Sequence, residues 1–461
     1  MTRLLLALLL VPAAAHAVTC TDDPARGGAR PELSGPEQVW ESEDGRYRFH
    51  WTVEGEDAIT GAADSDGDGL PDGVARALLG LRTGDEEFAA SGYRAAVRDD
   101  GSGGSDAIDV LFRAIDANGY AFAVPGAGEA SSCVIQLESS LGDSLDGVLE
   151  SVAAHELHHC VQYAYTTSGP SWMLESTATL EQYRLFSSPG LAAAVEVLWR
   201  TRLSQTDRPL ADLGGRYEYA GFVFQHFWES LGDGSVPELW EALSASNGDA
   251  EVALESESER VFGQSFRRTF LDHATWNAWG CSRDDGLHYD HQTFPCDLPD
   301  TRVPIADVFD EARFVLEEGP YAAAYAERPV GAERLPVEAT CSWDGAGRVG
   351  LRLLGLDRLG REEERAEVFA RDGETFTARL AGPAAEAGTA LLVFVSTSSE
   401  PVDVTCALAE VPVTEDEPEP GPEGSGCAGC GEGGAPAAAV LLLLLVPKQR
   451  RRRTGARRRQ R

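Results

Sequence analysis

Hydrophobic residues recur along this chain with two periods, and the change from one to the other organises it. Tyr47, Phe49, Trp51 and Val53 alternate with polar residues, the pattern of a half-buried strand. Ile108 to Phe112 and Cys133 to Leu137 are two further strand candidates. Leu78, Leu81 and Phe88 give an apolar face to a helix beginning near Val74. Val148 to Ala154 contains neither Pro nor Gly and leads into a second helix, on which Ala153, Leu157, Cys160 and Ala164 form an apolar stripe facing the core. Val152, His155, Glu156, His159 and Tyr163 gather on another face of that helix, toward a cleft. Gly169-Pro170 breaks the chain before a third helix starting near Ser171-Trp172. Mostly helical patterning, including Tyr219 to Leu231, then runs to about Gly280, with Trp240 and Phe270 as core residues.

From about Pro304 the period becomes two. Val349, Leu351 and Leu353 alternate, as do Val402, Val404, Cys406 and Leu408. Leu391 to Val395 is the unbroken apolar run of a buried strand, and Asp372-Gly373 marks a turn. The expected fold class is α+β, a mixed sheet with helices followed by a β-sandwich-like accessory domain. The strand at 133–137 is expected at the cleft edge, where a peptide could add as one more strand.

Both ends read as processing signals. Met1-Thr2-Arg3, the apolar Leu4 to Val11 and Ala15-His16-Ala17 make residues 1–17 a secretory signal peptide. At the other end Cys427-Ala428-Gly429-Cys430 precedes an apolar run from Ala435 to Val446 and then Arg450 to Arg453. That run is about a dozen residues, roughly 18 Å of helix against a hydrocarbon core of about 30 Å. The expected divisions are 18–130, a strand and helix region with an Asp-rich loop; 131–300, a catalytic region; 301–411, the accessory domain; 412–426, an acidic Pro-rich linker; and 427–461, a terminal tag.

Charge and cysteines narrow the setting. A formal net charge of −36 argues against nucleic acid as a partner. Nine cysteines in an exported chain read as disulfides. Cys281 and Cys296 would close a local loop, Cys341 and Cys406 could staple two β segments, and Cys133 and Cys160 could tie a strand to the second helix. Cys20 is left over, and sequence does not fix the connectivity.

The candidate chemistry lies in Ala154-His155-Glu156-Leu157-His158-His159-Cys160 and in Trp172-Met173-Leu174-Glu175-Ser176-Thr177-Ala178. His155 and His159 are four apart, so on a helix they project one turn above the other and can grip one zinc ion (Zn2+). Glu156 lies beside them as a general base, and Glu175 can be a third ligand, leaving the fourth position open. His158 is read as a packing or supporting residue. Tyr219 is the first candidate, and His226 the second, to stabilise the oxyanion of an amide hydrolysis. Asp64, Asp66, Asp68 and Asp72 occupy positions 1, 3, 5 and 9 of an EF-hand-type calcium (Ca2+) loop with Gly69 at 6, but Ala75 stands where the bidentate Glu belongs.

The H-E-x-x-H helix followed by W-x-x-E-x-x-A on the next helix resembles the gluzincin class of zinc metallopeptidases. Within it the chain is similar to a family of secreted metalloproteases of myxobacteria. The similarity runs from about Tyr47 to about Leu243 and includes Arg46 to Trp51, Gly55 to Ala58, the stretch 64–72 and Tyr217 to Phe222. It implies zinc held by His155, His159 and Glu175, Glu156 as base, and a protein or peptide substrate. Thermolysin-like members carry an Asp four residues after the ligand Glu to orient a zinc histidine. Here that position is Thr179, so the orienting group must come from elsewhere, with Glu181 or a backbone carbonyl as candidates. The C-terminal segment resembles the myxobacterial surface-sorting tag; a plain membrane anchor is the other reading. The rival to a peptidase is a catalytically retired surface binding or adhesion protein of the same fold. A calcium-stabilised structural protein would leave His155, His159 and Glu175 unexplained.

Overall fold

Alternation in the first strand segment buries Tyr47, Phe49 and Trp51, and His50 is buried as well, so this sheet is covered on both faces. A computed structural model describes residues 31–411 apart from 100, 102–103, 126–129, 146, 233, 281–288, 290–302, 331–335, 344, 358–361, 372 and 381–386. The chain divides after Val413, and the described residues lie within the first unit. The expected signal peptide, Cys281–Cys296 loop, linker and tag lie outside the described residues. Among those described, no helix is long and apolar enough to cross a membrane.

Strands β1 (Gln38–Glu41), β2 (Tyr47–Trp51), β3 (Ile108–Arg113), β4 (Gly119–Pro125) and β5 (Ala130–Glu138) form one mixed sheet in the order β1-β2-β3-β5-β4. β2, β3 and β5 run parallel, and β1 and β4 are antiparallel edges. The edge beside the helices is therefore β4, and the expectation that 133–137 forms it is corrected: β5 is interior. Val53 falls beyond β2 and is exposed.

Helix α1 (Asp72–Ser91) lies against α2 (Val148–Gln162), the helix of the two histidines. Three contacts fix α2. Near its start, Arg76 of α1 makes a bidentate pair with Glu150 at 2.8 and 2.7 Å. Along the crossing, Gly80 and Gly84 of α1 let the backbones approach. Toward its end, a Cys133–Cys160 disulfide joins it to β5.

Beyond Gly169-Pro170 come α3 (Ser171–Leu185), α4 (Pro189–Ser204), α5 (Tyr217–Ala220), α6 (Phe222–Leu231), α7 (Ser235–Ala245), α8 (Ala250–Glu257) and α9 (Phe266–Trp279). Their shared core is aromatic: Trp199, Phe224, Trp228, Trp240 and Phe270 are fully buried.

The remaining strands are β6 (Ile305–Asp307), β7 (Glu311–Leu316), β8 (Ala322–Pro329), β9 (Val337–Ser342), β10 (Arg348–Asp357), β11 (Glu362–Arg371), β12 (Phe376–Arg379), β13 (Ala387–Ser396) and β14 (Val402–Glu410). They make two sheets, β11-β10-β13-β8-β6 and β12-β9-β14-β7. Phe314 of β7 stacks on Phe394 of β13 across the space between them, with ring centroids 5.1 Å apart. Cys341 and Cys406 face each other in register and form a disulfide within the smaller sheet. The molecule is α+β.

Gly80 gives this packing a test. A Cβ there would sit 2.2 Å from the carbonyl oxygen of Glu150, a backbone atom that cannot turn aside. Ala in place of Gly favours a helix by about 1 kcal/mol, whereas overpacking costs about 1–3 kcal/mol or more. Gly80→Ala should therefore lower stability in denaturant melts. A stabilised variant would show that α1 and α2 are not in backbone contact.

Candidate metal centre

Helical geometry sets the site. One turn of α2 separates His155 from His159, and their rings stand 4.9 Å apart, edge to face. Glu175 projects from α3. Its Oε2 lies 3.3 Å from Nε2 of His155 and 3.7 Å from Nε2 of His159. Two donors held about 2.0–2.1 Å from one ion at a tetrahedral angle are about 3.3–3.4 Å apart. The three side chains thus fit a metal ion without rearrangement, and their ligand atoms all fall within 4.8 Å of one another.

The imidazoles are tied from behind. His155 Nδ1 lies 3.1 Å from Gln182 Oε1, and His159 Nδ1 lies 2.8 Å from Gln162 Oε1. Glutamines therefore stand where Glu181 or a backbone carbonyl was expected. Glu181 instead accepts from Tyr93 and Arg184, each at 3.0 Å. Thr179 is buried with its hydroxyl unpartnered. His158 is fully buried and sits edge-on to Phe88 and Tyr93, a packing residue.

Glu156 is 5% exposed and faces β4. A Cβ at Gly119 would lie 2.7 Å from Glu156 Oε1, so only glycine leaves room for that carboxylate. The Ala121 N–H donates to Glu156, and the Ala121 carbonyl accepts from Tyr163 O–H at 3.2 Å. Burial, aided by the charge of Glu175, raises the Glu156 carboxyl above its ordinary range against the pull of the two histidines.

Burial alone would drive His159 neutral, but the charge and hydrogen bond of Glu175, with the charge of Glu156, outweigh it and lift its pKa to about 9. Glu175 is partly buried, which raises its carboxyl, and the two histidines nonetheless hold it well below the usual range. These shifts have one cause: positive charge is stabilised at the point where the three side chains converge.

Tyr219 belongs to this site. Its ring is 6.1 Å from that of His155. The charge of Glu175, then burial, raise the phenol well above 10, and a hydrogen bond to Glu175 adds to the shift. It is a neutral O–H donor at any ordinary pH. His226, the second candidate, has a different ring partner. It lies on α6 with its ring stacked on that of Tyr289, centroids 5.8 Å apart. Glu218, beside Tyr219, is buried with Oε2 unpartnered, and burial pushes its carboxyl up to about 7.

In the Asp-rich loop, Asp64, Asp66 and Asp68 come together within 4.8 Å. Asp72 does not join them. It opens α1 and accepts from the N–H and hydroxyl of Ser65 at 2.9 and 2.6 Å. Its carboxylate is taken up by Ser65, inside the same loop, rather than by the cluster.

Sequence reasoning missed Gln162, Gln182 and Gly119. Gln162 lies three residues beyond His159 on the same helix, a spacing that could have flagged it; the other two carry no local signal.

No family model and no curated protein matches the chain. Among solved structures it is similar to the pre-peptidase C-terminal domain of a collagenase from Bacillus anthracis, at 10% identity over 23% of this chain and 95% of that one, with a TM-score of 0.18. It is also similar to PirA, at 9% identity over 22% of this chain and 86% of that one, with a TM-score of 0.15. Likeness at this level carries no argument about the site.

The geometry predicts about one bound divalent ion at the histidine pair. Elemental analysis of protein equilibrated with zinc and gel-filtered should find it, and the His155→Ala/His159→Ala double variant should lose it. Equal metal in the two proteins would refute the site.

Proposed function

We propose that this chain is a zinc-dependent hydrolase of peptide bonds acting outside the cell, of the gluzincin type. The observation that carries the reading is the convergence of His155, His159 and Glu175 on one point with the buried carboxylate of Glu156 beside it. When bound there, zinc supplies Lewis acidity, polarising a carbonyl and lowering the pKa of a water toward neutrality. Glu156 takes the proton of the attacking water and returns it to the leaving amine. Tyr219 donates its O–H to the developing oxyanion. Gly119 keeps the space in front of Glu156 clear. β4 is an antiparallel edge along which an extended peptide adds as one more strand.

Two disulfides suit an oxidising compartment and support export, in line with the N-terminal signal. The tag at 427–461 then leaves the catalytic part displayed at the cell surface. An intact Glu156 weighs against a retired binding or adhesion protein, which has no need of a base.

Glu156→Gln tests the reading. It should keep zinc and the melting temperature while losing about 10²–10⁴-fold of the turnover of a generic protein substrate. Near wild-type turnover in this variant would place the base elsewhere, and a wild type that binds zinc without cleaving anything would favour the retired protein.

Calcium between Asp64, Asp66 and Asp68 completes the proposal. Without a bidentate Glu the affinity should be low, on the order of 10⁻⁴ to 10⁻³ M. Millimolar calcium should then raise the melting temperature of wild type and not of Asp66→Ala. An unchanged wild-type melt would leave the loop as the lead-in to α1.

A further inference from the structure

The two glutamines behind the histidines have amides whose orientation is settled by their other contacts. Gln162 Nε2 donates to the Leu174 carbonyl at 2.8 Å, so its oxygen must be the atom facing His159 Nδ1. Gln182 Nε2 lies 3.1 Å from Ser151 Oγ, whose own proton goes to the Val148 carbonyl at 2.8 Å. The serine can therefore only accept, and the oxygen of Gln182 faces His155 Nδ1. An amide oxygen cannot donate, so each imidazole keeps a proton on Nδ1, and Nε2, the nitrogen that faces Glu175, is the one left to exchange its proton for a metal.

Resting on the metal-binding reading above, we propose that Gln162 and Gln182 are the positioning residues of this centre, each holding one imidazole in its metal-ligating tautomer. Both are neutral. A carboxylate in the same place would add a full negative charge behind the ring and make the imidazole a more basic ligand. The native pair fixes orientation without that charge, so the centre stays more electron-withdrawing and holds its metal less tightly than a carboxylate-backed one.

The two positions differ in what they can accept. At Gln182 the neighbour is a hydroxyl. If Glu replaces the amide, Ser151 can turn its proton toward the new oxygen and leave the Val148 carbonyl. At Gln162 the neighbour is a carbonyl, which has no proton to offer. The second oxygen of a Glu there would face the oxygen of Leu174, acceptor against acceptor in a buried site.

Zinc affinity of the full-length chain, measured by competition with a chromophoric chelator, tests this, with melting of the metal-free proteins as the control for folding. Gln182→Ala and Gln162→Ala should each bind zinc about 10–100-fold more weakly. Gln182→Glu should recover wild-type affinity or exceed it, and Gln162→Glu should fall with the Ala variants. A purely structural role predicts lower melting temperatures without this split. If Gln162 variants fail to fold, the contrast between Gln182→Ala and Gln182→Glu decides alone. Zinc bound equally by wild type and Gln182→Ala would overturn the assignment and leave the metal site standing. A wild type that binds no zinc would overturn the metal site and the assignment with it.

Discussion

Two imidazoles and the Glu175 carboxylate converge on one point with the buried Glu156 carboxylate beside them, and that electrostatic load must be carried by the surrounding backbone. Each carboxylate raises the cost of charging the other, and burial adds a solvation cost. The side chains answer by redistributing protons. His159 is drawn up to about 9 while Glu175 is held far below its ordinary range. A divalent cation at the same point answers the load more completely, because it faces both carboxylates without competing for a proton. The geometry suits such an ion because the donor atoms stay in place when protons are exchanged for metal.

Staying in place requires a helix that cannot shift. α2 is held near its start by the Arg76–Glu150 pair and by the close crossing at Gly80, and toward its end by Cys160. The disulfide closes a loop of 27 residues, which by chain entropy alone is worth about 3.5 kcal/mol. Cys160 is also the residue next to His159, so the cross-link acts on the backbone that aims a ligand. From the other side, Glu156 fits against β4 only because residue 119 has no side chain.

Much of this was legible in the chain. The ligand pair follows from the helical period, and the Asp64, Asp66 and Asp68 cluster from its spacing. The pairings of Cys133 with Cys160 and of Cys341 with Cys406 matched segments already read as strand and helix. The rest depends on contacts between distant segments. β4 escaped notice because Gly119, Ala121 and Ala123 give its inner face almost no apolar volume, although Tyr120 and Phe122 alternate with them. Gln182 finds its histidine across the α2–α3 contact, where Glu181, one residue away and charged, was the more conspicuous choice. Asp72 fits the calcium spacing, yet its carboxylate accepts from the N–H and hydroxyl of Ser65 instead.

The run Leu391 to Val395 shows how the β-rich half is attached. Leu392 and Phe394 point into the core between the two sheets, while Leu391, Val393 and Val395 join the aromatic core of the helices. A strand of a free-standing sandwich would alternate apolar and polar; this one is apolar throughout because both faces are covered. Around it, Tyr325 donates to the Ala274 carbonyl at 3.0 Å, and the buried Arg352 reaches Asp272 at 2.7 Å and Thr275 at 2.8 Å, all three on α9. Severing that guanidinium would remove a buried partner shared by Asp272, Thr275 and Glu367. The larger sheet is thus part of the floor on which the helices rest. Removing the residues after about 301 should expose the aromatic core rather than release an intact helical unit, because Leu391, Val393 and Val395 of β13 are part of what covers that core.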